Sequence, residues 1–190
     1  MFLEPLSFKT PKSGRVELIV GSMFSGKTEE LLRRIRRVEI SGQKFVLIKP
    51  EIDNRYREDA IVSHDKNMED AKVCKQAFEI FDHVQEETVV AIDEAQFFDS
   101  GILDVVHTLA NRGKRVIIAG LSMNAKGAAF GTMPQLLATA EHITKLHAIC
   151  QSCGGHAHFS KRKPGKDGQG YIGGNELYTP LCRACYLREP

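Results

Sequence analysis

Val16-Glu17-Leu18-Ile19-Val20-Gly21-Ser22-Met23-Phe24-Ser25-Gly26-Lys27-Thr28 decides the fold. Its first five residues form a short apolar, β-branched run of the kind buried as a strand, and Glu29-Glu30-Leu31-Leu32-Arg33-Arg34-Ile35 beyond it has the apolar spacing of a helix. Between them, Gly21 and Gly26 bound a loop of the form G-x-x-x-x-G-K-[ST]. The glycines let the backbone curl until successive N–H groups and the positive end of the following helix face one spot, where an anion belongs. Lys27 adds a full charge within reach of β- and γ-phosphates, and the Thr28 hydroxyl can ligate the Mg²⁺ that travels with them.

A second stretch answers the first. Thr88-Val89-Val90-Ala91-Ile92 is too apolar for a surface strand, and it ends directly in Asp93-Glu94. A P-loop fold uses such a strand end to bring a carboxylate up to Mg²⁺. Lys44 to Pro50 and Arg115 to Leu121 read as further strands, and His142 to Ile149 as a last one running into the cysteines. Helical spacing predicts helices over 28–40, 75–85, 101–112 and 133–140, with a loop of small residues from Ser122 to Gly131. The basic positions Arg33, Arg34, Arg36 and Arg37 spread over more than one helix face and read as a solvated surface. After the second strand, Asp53 and Arg55 sit where a doubly wound sheet places ligand-facing loops; Ile61 to Asp65, with His64, reads as a short strand nearby. Strands alternating with helices give an α/β fold: a P-loop (RecA-like), mostly parallel sheet with helices on both faces.

Cys150-Gln151-Ser152-Cys153 and Cys182-Arg183-Ala184-Cys185 are two C-x-x-C knuckles offering four thiolates, a closed tetrahedral set for a structural Zn²⁺. Cys74 is left over and reads as a structural thiol. The glycine-rich segment between the knuckles is tied at both ends by the metal, and its Gly168 to Tyr178 half suggests a lid over a ligand. The organisation expected is an N-terminal arm over 1–14, a P-loop domain over 15–148 and a small zinc-ribbon-like lid module over 149–190.

The formal net charge is +2, from 26 basic and 24 acidic residues, which supplies no field for a polyanion and argues against a nucleic-acid partner. No apolar run approaches a membrane span, and cysteines paired for metal fit a reducing compartment, so a cytoplasmic protein is expected. A P-loop, a carboxylate pair and a clamped lid together make a phosphoryl-transfer site using Mg²⁺ and ATP, in which Glu94 is placed to deprotonate an acceptor hydroxyl. A nucleic-acid-stimulated ATPase, with its zinc ribbon gripping the strand, is the alternative from another class; basic residues without interleaved aromatics count against it.

Taken with Asp53-Asn54-Arg55-Tyr56, Ile92 to Phe98, Ile172-Gly173-Gly174, Tyr178 and the four knuckle cysteines, the P-loop resembles that of the type II, tetrameric zinc-containing thymidine kinases, over about residues 15 to 187. The resemblance implies transfer of the ATP γ-phosphate to the 5′-hydroxyl of thymidine or deoxyuridine in nucleotide salvage, a homotetramer, and feedback binding of dTTP. It implies Glu94 as catalytic base, and an ATP site of Gly21, Ser22, Met23, Phe24, Ser25, Gly26, Lys27, Thr28, Asp53, Asn54, Arg55, Asp93, Glu94, Ala95 and Gln96, with Thr28 and Asp93 anchoring Mg²⁺. Met23, Leu121, Ser160 and Tyr178 align with the pocket for the thymine ring, Phe97 with one aromatic wall, and Gln169, Gly170, Tyr171, Ile172 and Gly173 with main-chain contacts to the base edge. Where members of the family carry a phenylalanine that packs on the base, this chain has Ala125, which implies a weaker wall.

Overall fold

The computed structural model describes residues 14–51, 71–163 and 177–188. Residues 1–13 of the N-terminal arm, the Asp53-Asn54-Arg55 loop, the 61–65 strand with His64, and residues 168–176 of the expected lid, with the Gln169 to Gly173 contacts, lie outside the described residues.

Six parallel strands make the central sheet: β1 (Arg15–Gly21), β2 (Phe45–Pro50), β3 (Lys72–Cys74), β4 (Val89–Ile92), β5 (Arg115–Leu121) and β6 (His142–Leu146), in the order β3-β2-β4-β5-β1-β6. Alternation along each strand sends its side chains to two cores. Val16, Leu18, Val20, Val90, Ile92, Val116 and Ile118 face α2 (Ile102–Asn111) and α3 (Met133–Thr139) on one side. On the other, Ile19, Leu47, Ala91, Ile117 and Ala119 face Leu31, Leu32, Ile35 and Val38 of α1 (Lys27–Ile40). Helices therefore cover both faces of the sheet, as its continuously apolar strands require.

Two elements depart from expectation. The 75–85 stretch forms a 3₁₀ helix over Ala77–His83 whose buried residues, Ala77 and Ile80, stand three apart, the period of that tighter helix. The strand expected over 142–149 divides at His147: β6 stays in the main sheet, and β7 (Ala148–Ile149) pairs antiparallel with β8 (His156–Ala157). β9 (Phe159–Arg162) pairs antiparallel with β10 (Tyr178–Leu181), and a short α4 (Arg183–Arg188) closes the module around a small core of Ala148, Cys150, Ala157, Leu181 and Cys185. Cys74 is buried, and burial, with the acids Glu79 and Asp82, pushes its thiol up to about 11, so it is inert, as its structural reading requires. Among the described residues, no helix is long and apolar enough to cross a membrane.

Candidate active site

The ends of β1 and β4 lie on one edge of the sheet, separated by β5. Gly21 leaves β1 where no side chain fits: a Cβ there would meet Ser25 Oγ at 2.4 Å and the Leu146 carbonyl at 2.7 Å. Gly26, at φ 81°, turns the loop into α1 in the left-handed region that suits glycine. The loop also fastens itself: the Ser22 carbonyl accepts from Ser25 Oγ at 2.8 Å and from Lys27 Nζ at 3.0 Å. Lys27 is thus held across its own loop by its ammonium, and is buried. Phe24, also in the left-handed region at φ 62°, is half exposed at the loop tip.

Thr28 and Asp93 come together from opposite elements, Thr28 Oγ1 donating to Asp93 Oδ2 at 3.0 Å. Burial and then the adjacent Glu94 push Asp93 up to about 7, against hydrogen bonds from the Thr28 hydroxyl and the Glu94 amide and the charge of Lys27. A carboxyl so dry and so close to a second acid is short of positive charge, and with the Thr28 hydroxyl it forms the oxygen donor set that suits Mg²⁺. Glu94 is half-buried and left-handed, at φ 51° and ψ 40°. A non-glycine residue held there carries backbone strain of about 1–3 kcal/mol, a feature that gathers at functional positions. Its carboxylate accepts from the Gln96 side-chain amide, whose own oxygen accepts from the Leu121 N–H at 2.9 Å. The side chains of Ala95 and Gln96, expected at the nucleotide, are thus both turned inward, Ala95 into the core and Gln96 toward β5.

A cavity opens beside the P-loop. Five of the residues expected around a base line it: Met23, Leu121, Ala125, Ser160 and Tyr178. Met123, Asn124 and Phe130 complete the wall. Phe130 is the residue that sequence reasoning missed. It supplies a ring on the wall where Ala125 left one wanting, and Phe97 stands behind it edge to face, with centroids 5.6 Å apart, so Phe97 braces the wall. The available signal was an aromatic at the end of a loop of small residues, followed by Gly131 at φ 51°. Asn124 shapes that loop by accepting from Lys126 N at 3.0 Å and Ala128 N at 3.2 Å.

The cysteine module is fastened to this site at three points. Ser22 Oγ donates to the Ala157 carbonyl at 3.3 Å, Met23 N donates to Ser160 Oγ at 2.9 Å, and Tyr186 OH donates to the Ala125 carbonyl at 3.0 Å. Phe159 stacks on Tyr186 with centroids 4.5 Å apart. The sulfurs of Cys150, Cys153, Cys182 and Cys185 all lie within 4.8 Å of one another. Cys153 and Cys182 are 3.7 Å apart, close to the edge of about 3.8 Å that a tetrahedron with 2.3 Å Zn–S bonds would have. The donor set fits Zn²⁺ and leaves no open position.

Comparison with known proteins bears on the same residues. The family model described as thymidine kinase matches residues 14–186. The chain is 50% identical over 188 residues to proteins named thymidine kinase from Bacteroides fragilis and Bacteroides thetaiotaomicron, covering 99% of this chain and 94% of each relative. Among solved structures it is similar to domain III of the Thermotoga maritima replication initiation protein DnaA, with 18% identity and a TM-score of 0.46, over 73% of this chain and 57% of that one.

Proposed function

The chain belongs to the thymidine kinase family, and from that premise we propose that its cleft transfers the γ-phosphoryl group of ATP to the 5′-hydroxyl of thymidine, with Glu94 as general base. The observation that carries the reading is the position of Glu94: a carboxylate on a left-handed backbone just past β4, next to the Asp93 that P-loop Thr28 contacts, and tied through Gln96 to Leu121 on the cavity wall. In that position it takes the proton of the 5′-hydroxyl while the oxygen attacks the γ-phosphorus and the bond to the β–γ bridging oxygen breaks, leaving ADP. Lys27 and the amides of residues 21–28 receive the phosphates, stabilising charge on the γ-oxygens during transfer. Thr28 and Asp93 would hold Mg²⁺, which supplies charge neutralisation at the β- and γ-phosphates when bound. Met23, Phe130 and Tyr178 enclose the base, and Cys150, Cys153, Cys182 and Cys185 would hold Zn²⁺ as a structural tie.

The homotetramer and dTTP inhibition belong to the same reading; light scattering and inhibition assays test them. For the chemistry, Glu94→Gln is the decisive variant: it should bind ATP as the parent does and lose turnover by about 10² or more. Near-parental ADP release with thymidine would remove the residue from that role.

A further inference from the structure

We propose that Gln96 is a positioning residue that fixes the base to the nucleoside pocket, so that Glu94 and the cavity move as one body. The proposal rests on Glu94 being the base. Gln96 is 3% exposed and lies between two partners. The Leu121 N–H can only donate, which places the Gln96 oxygen toward β5 and leaves its NH₂ facing the Glu94 carboxylate; both contacts are present. Leu121 is both the last residue of β5 and part of the cavity wall.

Glycines on the surrounding backbone leave room for this residue, Gly120 for its side chain and Gly131 for its main chain. A Cβ on Gly120 would stand 2.8 Å from the Gln96 side-chain oxygen, and one on Gly131 would stand 3.0 Å from the Gln96 carbonyl. Glu94 is left-handed at φ 51°, so its carboxylate is aimed by a conformation that only firm surroundings maintain. Gln96 supplies that firmness from the side of β5 and the cavity wall. Misplacement of a base by even 1 Å costs turnover far more than it costs binding, because only the transition state needs the alignment.

The test is a double-mutant cycle on the full-length protein. Gln96→Met removes both hydrogen bonds while keeping the shape, and Gln96→Asn keeps an amide but withdraws it by one methylene. Each should lower kcat about 10-fold or more with KM for ATP within about 2-fold of the parent. Added to Glu94→Gln, either change should lower kcat by less than about 2-fold further, since the group it positions is gone. Should the Met variant fail to fold in a thermal melt, the Asn variant carries the cycle. A Gln96 change that leaves kcat intact, or multiplies fully with Glu94→Gln, overturns the proposal. Glu94→Gln alone reports on the base itself, so a parental rate there sinks the underlying reading and not merely the strut.

Discussion

Glu17 keeps a full charge inside the sheet because guanidiniums surround it. Arg115 holds it through two hydrogen bonds at 2.7 and 2.9 Å, Arg15 at 2.8 Å and Arg34 at 2.9 Å. Burial works to raise its pKa, and the Arg115 and Arg15 contacts overcome that and hold it at about 2, against an ordinary value of 4.5. A depressed acid stabilises the fold above its unfolded pKa and loses that contribution as pH falls. Between pH 4.5 and 2 the protein should therefore lose about 3 kcal/mol from this site, read by denaturant unfolding across that window. Glu17→Gln should be less stable by a similar amount at pH 7 and flatter below pH 4.5. Asp93 has the opposite sign. With its pKa raised to about 7, it is partly protonated at pH 6.5, so Mg·ATP binding should release a proton there, measured by calorimetry in buffers of different ionisation enthalpy. The surroundings of Glu17 were not legible in the sequence: Arg115 stands 98 positions from it, and Arg34, expected on a solvated face, is only 13% exposed because Glu17, Glu30 and Thr144 engage it.

At the scale of elements, the strand–loop–helix at 15–40 and the strand ending in Asp93-Glu94 were legible because their signals are local: apolar runs, glycines at fixed offsets, charges at a strand end. β3 and the division of 142–149 into β6 and β7 were not, since a three-residue and a two-residue strand are defined by partners rather than by pattern. The same holds for α4, whose contact with the cavity loop is made by one hydroxyl. Tyr186 holds the loop that carries Ala125, Asn124 and Phe130 from outside the cavity. Tyr186→Phe keeps the stack on Phe159 and removes the bond to the Ala125 carbonyl, a loss of about 1 kcal/mol. Steady-state kinetics should show KM for thymidine rising up to about 5-fold with KM for ATP unchanged.

The whole molecule builds the cavity beside its P-loop from three separate regions: the P-loop with Met23, β5 and its loop with Leu121 and Phe130, and the cysteine module with Ser160 and Tyr178. Sequence could name most of these residues through resemblance, yet the strand order β3-β2-β4-β5-β1-β6 that gathers them is a property of long-range pairing. Because the core described for the module is small, its order would depend on zinc tying the four sulfurs, as proposed above. Stripping zinc with a chelator should therefore free Ser160 from the P-loop, seen as lost hydrogen-exchange protection at the Met23 amide while the amides of β4 and β5 stay protected. The bond between Met23 and Ser160 also works in reverse. Binding free energies are reciprocal, so whatever factor the metal contributes to thymidine affinity, thymidine must return to metal affinity. An enzyme saturated with its nucleoside would surrender zinc to a competing chelator more reluctantly than an idle one, and a cell short of the metal would spare the copies at work.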